Sequence, residues 1–332
     1  MDPVTHTLCG VALGNAFFRR RAGPAAVPIL ALASNLPDID VVVHVTGDPT
    51  AVMMRRMVGH SVFLLPVWSA ALAWLLGRRY RHLRFPALFG MVLLGAVVHV
   101  FFDLINSFGV VLLWPFSRAR PELAWVFIID FILTGLLALP LVPGLIGRVR
   151  LLLARTGLRR SSDRPGLNRL VPLSRASLAG VALYLAFCGA SHARATGLLE
   201  RQARAQAEAH RLAPADFTYV FPEPLGPHRW RGVARTGDTY RLYLVRPLTG
   251  RAELREEFRT DLGSPVVDAA RRTPLGRRLE WFFKAPVWTA AGPDKATVYD
   301  LRFRPLDLHR PAVFSFTVPV TASALDPGPP LP

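Results

Sequence analysis

The stretch FPALFGMVLLGAVVHVFFDLIN, residues 85–106, is an apolar run that contains two ionisable side chains, His99 and Asp103. About 20 predominantly apolar residues are enough for a helix to cross a bilayer, so the stretch predicts a membrane-spanning helix. The two side chains are four residues apart, and a helix would place them on one face with about 6 Å of rise between them. A carboxylate in such a position is costly without a partner of opposite charge, which predicts such a partner for Asp103.

Other apolar runs surround this one. Residues 61–77, 123–147 and 177–193 are long enough to span, and two shorter runs occupy residues 7–18 and 25–36. A hydrophobic share of 51% is too high for an ordinary soluble enzyme. The sequence therefore predicts a mainly α-helical multi-pass membrane bundle.

Basic residues occur in short segments between the apolar runs, although the net charge of +17 would suggest nucleic acid in a soluble protein. These segments are residues 19–21, residues 78–84 and the loop between Arg148 and Arg175. Cytoplasmic loops carry such an excess of arginine. We predict an inner (plasma) membrane protein that binds no nucleic acid and places everything after Arg194 outside the cytoplasm. The last basic loop could bind an acidic partner or anionic lipid, although a topology signal alone is the simpler interpretation.

The C-terminal part of the chain has a different amino-acid composition. TYRLYLV (residues 239–245), TVYDLRFR (297–304) and AVFSFTVPV (312–320) are rich in β-branched and aromatic residues, which is typical of strands. We predict a transmembrane domain (1–195), a helical linker (196–212), a β-rich extracytoplasmic domain (213–325) and a disordered tail (326–332).

Six ionisable side chains fall at about one depth in this topology, near the outer ends of separate apolar runs: His6, Asp38, Asp40, His60, His99 and Asp103. Gathered carboxylates and imidazoles are best explained by a cation among them. Mixed histidine and aspartate ligation suits Zn²⁺, with Mn²⁺ or Fe²⁺ as alternatives. We predict that these residues hold one or two such ions, with His6 on a second ion or outside the ligand group.

Each residue alone has a plainer interpretation. His99 and Asp103 could be a hydrogen-bonded pair within a bundle, and His60 could belong to the cap region of a helix beginning at Ser61. Asp38 could cap a tight turn. Asp130 falls about two turns inside the run 123–147, where we expect it to support or join the site.

Four motifs occur in the same order as in a known family: MDPVTHTLCG from residue 1, NLPDID from 35, RRMVGHS from 55 and HVFFDLINSFGVVLLWPF from 99. On these motifs, residues 1–144 resemble the YdjM-type family of membrane-bound, predicted metal-dependent hydrolases. The usual RGxTHS is here RRMVGHS, so Arg56 and His60 keep their places while Met57 and Gly59 replace a glycine and a threonine. The resemblance implies a metal-ligand role for His60. Any role of the family's threonine hydroxyl has no counterpart here, because Gly59 occupies that position.

The order of the ligands is also distantly similar to zinc-dependent phospholipase C and related single-strand nucleases. His6, Asp38 or Asp40, His60, and His99 with Asp103 follow that order. In that superfamily the HxxxD carboxylate can bridge two zinc ions, and a third zinc uses a later HxxxE. The chain has no later HxxxE, so the similarity implies at most two ions.

We predict a metal-dependent hydrolase that acts at the outer face of the membrane, on a phosphoester or ester of a lipid or lipid-linked substrate. Asp40 and Asp130 are candidate catalytic residues, and Arg56 or Arg118 would hold an anionic group. One alternative is a cation transporter using the same ligands, but residues 61–77 and 85–95 carry almost no polar groups for a pathway. The other is a non-enzymatic membrane regulator or scaffold.

Overall fold

The computed structural model describes residues 1–46, 50–142, 167–224, 226–304 and 314–320. These residues form two compact units. The first contains Met1–Cys188 with Pro224–Gly226, and the second contains Gly189–Glu223 with Pro227–Pro332.

The first unit is helical. Its elements in chain order are α1 (Pro3–Leu13), a π-helical turn (Gly14–Phe18), α2 (Arg19–Ala22), a 3-10 turn (Gly23–Ala25), α3 (Ala26–Ala33), two 3-10 helices (Leu36–Thr46 and Ala51–Met54), α4 (Leu65–Arg79), α5 (Phe85–Leu104), α6 (Phe131–Ala138) with a 3-10 turn (Leu139–Leu141), and the first part of α7 (Leu167–His210). Gly23 has a φ of 66°, which suits a glycine where the chain reverses after α2.

Glycines let α3 pack closely against both α1 and α5. A Cβ added at Gly10 of α1 would lie 2.4 Å from the carbonyl oxygen of Leu30, and one at Gly95 of α5 would lie 2.7 Å from Cβ of Ala33. Small residues permit such close approach between apolar helices. The packing fixes the C-terminal end of α3 against α5, close to His99.

Three helical segments among the described residues are long and apolar enough to cross a membrane: Pro3–Val42, Phe85–Leu104 and Arg169–His210. The first of them includes the reversal at Gly23. Large apolar side chains are exposed along these segments, including Val97 of α5 and Leu183 of α7, at 47% and 74%. Contiguous exposed apolar surface is unusual in a soluble monomer and suits contact with lipid.

Two helices begin later than the sequence indicated. α4 begins at Leu65, where a proline occupies its first turn, so His60 lies in the preceding turn instead of opening the helix. α6 begins at Phe131, because the Asp130 side chain accepts a hydrogen bond from the Leu133 amide and caps the helix. The expectation that Asp130 lies two turns inside a helix was therefore wrong.

The bounds of α7 also differ from the prediction. The expected spanning run 177–193 and the expected linker 196–212 fall almost entirely in this single helix, which begins at Leu167 and ends at His210. Residues 143–166 lie outside the described residues, as does the expected tail 326–332. The end of the run 123–147 and most of the last basic loop therefore stay predictions.

The second unit confirms the expected β-rich C-terminal region. An antiparallel sheet has the order β1 (Phe217–Pro222), β2 (Trp230–Thr236), β3 (Thr239–Arg246) and β4 (Arg251–Arg259). Two helices that the sequence analysis missed follow, α8 (Pro265–Arg272) and α9 (Pro274–Phe282). A second antiparallel sheet has the order β5 (Pro286–Ala290), β6 (Lys295–Asp300) and β7 (Ser315–Pro319), with a 3-10 turn at Leu301–Phe303.

Both faces of the four-stranded sheet are buried in apolar clusters. Trp230 and Tyr243 pack with Leu199 of α7, whereas Val233 and Leu242 belong to a cluster with Val287 of β5. The alternation follows from the strand period of two residues. The last turns of α7 therefore serve as a covering layer of this unit.

Candidate metal centre

Four ionisable side chains from three parts of the chain converge in the first unit. One donor atom from each of Asp38, His60, His99 and Asp103 lies within 4.8 Å of the others, and such a group could hold a metal ion. Asp38 lies in the 3-10 helix Leu36–Thr46, and His99 and Asp103 lie one helical turn apart near the end of α5. Three of the side chains are buried, while Asp38 is 18% exposed.

The two histidines present the same nitrogen to the centre. Nδ1 of His99 lies 2.7 Å from the carbonyl oxygen of Ser34, and Nδ1 of His60 lies 3.1 Å from Oδ2 of Asp40. Because a carbonyl and a carboxylate only accept, both Nδ1 atoms carry the proton. In neutral rings both Nε2 atoms would then be acceptors, and the two atoms lie 3.2 Å apart.

Asp40 holds the loop that carries His60. Its Oδ1 accepts the Gly59 amide at 2.8 Å, and its Oδ2 accepts the Met57 amide at 2.8 Å in addition to the imidazole of His60. Gly59 leaves no room for a side chain, since a Cβ there would lie 2.2 Å from the carbonyl oxygen of Pro37. Asp40 therefore lies behind His60 and not in the converging group, unlike its neighbour Asp38.

Asp103 is the centre of the polar contacts. Its Oδ2 lies 3.1 Å from Nε2 of His60, 3.6 Å from Nε2 of His99 and 2.8 Å from Nε of Arg56. Arg56 also donates to Oδ1 of Asn106 at 2.9 Å. Burial lowers the pKa of Arg56, and the carboxylate of Asp103 opposes that shift.

The other oxygen of Asp103 faces α1. Oδ1 lies 3.3 Å from Nε2 of His6 and accepts a hydrogen bond from the amino group of Met1. The His6 ring stacks on the His99 ring with 3.7 Å between centroids. The structure thus brings all six predicted metal-site residues into one contact network, with His6 and Asp40 at its edges.

The predicted catalytic residues are more scattered. Arg56 contacts Asp103, whereas Arg118 is solvent-exposed in the segment after α5. Asp130 caps α6 and accepts a hydrogen bond at 2.7 Å from the hydroxyl of Tyr184. These contacts give Asp130 a structural role as the cap of α6.

Sequence reasoning missed several groups that build the centre. The Ser34 carbonyl cannot be recognised from residue type, whereas Asn106 is seven residues after His99, a spacing that indicates the same helical face. Arg55 donates to Oδ1 of Asp38 at 3.2 Å. Buried Arg120 donates to the backbone carbonyl groups of Met53, Arg55 and Phe108.

Comparisons with known proteins bear on this first unit. A family model described as "YdjM inner membrane protein" matches residues 1–195. A Bacillus subtilis (strain 168) protein, "Uncharacterized protein YfhP", is 35% identical over 125 residues, which is 36% of this chain and 38% of that protein. The chain therefore spans well under half of that relative. No solved structure matches the chain.

Proposed function

This chain belongs to the YdjM inner membrane protein family, and we propose that it is a membrane-embedded, metal-dependent hydrolase. Its substrate would be a phosphoester or ester of a lipid or lipid-linked molecule. The family assignment supports location in the membrane, and the converging group of Asp38, His60, His99 and Asp103 supports the metal.

The arrangement of the two histidines carries this proposal. Arg55 and Arg56 already contact Asp38 and Asp103, so countercharge alone is a weak argument for a cation. Two imidazole Nε2 acceptors 3.2 Å apart are different, since neutral rings in these tautomers would turn lone pairs towards each other and towards a carboxylate. A cation held by these four side chains would replace that repulsion with attraction.

The donor set also suggests which ion binds. Two imidazole nitrogens and two carboxylate oxygens suit a tetrahedral or five-coordinate Zn²⁺ site, with Mn²⁺ and Fe²⁺ as alternatives. When bound, such an ion supplies a Lewis acid that lowers the pKa of a coordinated water towards neutrality. Asp40 would orient His60, and His6 would hold the ring of His99 in place by stacking.

The exposed side of the group suggests how a substrate arrives. Asp38 is the ligand that solvent reaches, and its neighbour Arg55 is 32% exposed. Arg55 could therefore bind an anionic group beside the metal, in addition to the predicted Arg118. Arg56 is buried against Asp103, which suits balancing that carboxylate better than binding a substrate.

We place the helical unit across the inner membrane in several passes. The arginines at residues 19–21 and 78–84 would lie on the cytoplasmic side, and the C-terminal β-rich unit would lie outside. A site on the outer side meets phospholipid head groups, which supports a lipid substrate. The basic loop from residue 148 keeps its predicted topological role.

The test starts with metal content. Full-length protein is purified in detergent as wild type, as His99→Ala/Asp103→Ala, and as His210→Ala, which removes an exposed histidine at the end of α7. We expect about one zinc or manganese ion per chain in the first and third proteins and none in the second. Hydrolysis of phospholipids, a phosphodiester and a carboxylic ester is then compared among the three.

The result can contradict the proposal in two ways. A folded wild-type protein that retains no metal after zinc and manganese are supplied contradicts the metal centre. A metal-loaded protein that hydrolyses none of these three substrate classes contradicts the hydrolase. Transport of the same ion across proteoliposomes would then favour the transporter.

A further inference from the structure

A cleft that contains arginines lies at the other end of the helical unit. An open cleft of about 480 Å³ is lined by the reversal after α2, including Arg21 and Gly23, and by the end of α4, including Arg79, Tyr80 and His82. Three of the nine residues that line the cleft can carry positive charge.

The cleft is remote from the metal centre. His99 lies 14 residues after Phe85, the first residue of α5. At 1.5 Å per residue, this corresponds to about 21 Å of helix. His6 and Arg21 are separated by a similar length of α1 and α2. The two sites can therefore be altered independently.

The sequence around the cleft offers no acidic partner. Residues 19–28 and 78–84 contain seven arginines and no aspartate or glutamate. Arg21 and Arg79 are exposed, and Tyr80 packs against the apolar core and orders the end of α4. Guanidinium groups bind phosphate oxygens with two parallel hydrogen bonds, so a phosphate group is the anion that this chemistry favours.

The surroundings of the cleft suggest that a lipid carries the phosphate. Trp74 is 58% exposed on α4, and the guanidinium carbon of Arg78 lies 3.8 Å from the centroid of its ring. Phe85 is 49% exposed at the start of α5. Exposed aromatic side chains beside arginines are typical of the boundary between head groups and acyl chains.

We propose that the cleft between the α2 reversal and the end of α4 binds the phosphate group of an anionic phospholipid. Arg21 and Arg79 hold the phosphate, His82 closes one side, and the acyl chains lie along the exposed apolar surface of the helices. The binding is separate from the metal centre and from any hydrolysis there.

Native mass spectrometry of the full-length protein in detergent tests this with phosphatidylglycerol, phosphatidylcholine and inorganic phosphate. The variant Arg21→Gln/Arg79→Gln removes two charges from the cleft. The matched control Arg78→Gln/Arg84→Gln removes two charges from the same basic segments, at residues that do not line the cleft. Arg21→Lys/Arg79→Lys keeps the charge, and thermal unfolding reports independently that each variant is folded.

We expect wild type and the control to retain phosphatidylglycerol at least about tenfold better than the glutamine variant, with the lysine variant between them. Phosphatidylcholine should be retained weakly and equally by all four proteins. Equal retention of phosphatidylglycerol by the two glutamine double variants would overturn the site. If inorganic phosphate binds the wild type and phosphatidylglycerol does not, the inference that a lipid carries the phosphate is wrong.

Discussion

Asp40 lies directly behind His60, with its Oδ2 3.1 Å from Nδ1 of the imidazole. Asp38, two residues earlier, lies on the opposite side of the histidines, 3.9 Å from Nε2 of His99. Two carboxylates that look equivalent in the motif NLPDID therefore have different surroundings. Asp40 orients the His60 ring and holds its loop, whereas Asp38 faces Nε2 of His99.

This difference predicts different effects for two matched substitutions. Asp40→Asn should lower the free energy of unfolding by about 1–3 kcal/mol, because two buried amides and an imidazole lose their charged acceptor. It should weaken metal binding about 10- to 100-fold. Asp38→Asn should reduce metal content as strongly, but in the metal-free state it should change stability by less than about 1 kcal/mol, because Asp38 is partly exposed. Thermal unfolding of the two metal-free variants would contradict the assignment if both lost equal stability, and metal titration would contradict it if either variant bound metal as tightly as wild type.

Removing the metal should destabilise the wild-type protein. A ligand at 100 times its Kd stabilises the folded state by about 2.7 kcal/mol, so chelation should lower Tm by several degrees. Chelation should not change the Tm of His99→Ala/Asp103→Ala, since that variant lacks two of the four donors. Thermal scans with and without chelator, followed by tryptophan fluorescence, provide the measurement. An equal shift in both proteins would mean that the chelator acts elsewhere.

The packing of α5 against α3 should affect both the stability of the protein and its metal retention. Gly95→Ala places a Cβ 2.7 Å from Ala33, which should push α5 away from the Ser34 carbonyl that holds His99. We expect a loss of about 1–3 kcal/mol and weaker metal retention. Gly90→Ala on the same helix meets nothing within 4 Å and should be neutral or stabilising by up to about 1 kcal/mol. Tm and metal content are compared for the pair, and equal behaviour would contradict this account.

The sequence predicted the helical pair of His99 and Asp103 because a fixed period of 3.6 residues relates spacing to direction. It also predicted that the other candidate residues lie near this pair, because the ends of spanning runs are expected at similar depths, and their role as metal ligands stays a prediction. It could not separate Asp38 from Asp40, since their roles depend on the amides of residues 57 and 59. Those contacts are set by the fold of the loop and leave no trace in composition.

Helix ends were predicted less well than helix existence. Asp130 lies in an apolar run, so hydropathy alone places it inside a helix, whereas its side chain accepts the Leu133 amide and starts the helix after it. The polar second half of α7 was separated from the first half for the same reason. The stretch predicted to be helical from residue 196 is helical and continues the preceding run, and Leu199 lies on its apolar stripe that covers the sheet.

Two arginines in one segment should affect different properties. Arg120 is buried and donates to the carbonyl groups of Met53, Arg55 and Phe108, which hold the loop before His60. Arg120→Gln should therefore lower the free energy of unfolding by more than about 2 kcal/mol, because buried carbonyls lose a charged donor. Arg118 is exposed, so Arg118→Gln should change stability by less than about 0.5 kcal/mol.

Arg118→Gln also tests the predicted role of Arg118 in binding an anionic group, with Arg55→Gln as the comparison. If Arg118 holds the substrate, Arg118→Gln should raise KM for a phosphodiester with little change in kcat, and should leave a neutral carboxylic ester unaffected. Steady-state kinetics on the metal-loaded protein separate these outcomes. An unchanged KM in Arg118→Gln, together with a raised KM in Arg55→Gln, would transfer the role to Arg55. The structure favours Arg55 for this role, because its guanidinium contacts Asp38, which is the most exposed of the four candidate ligands.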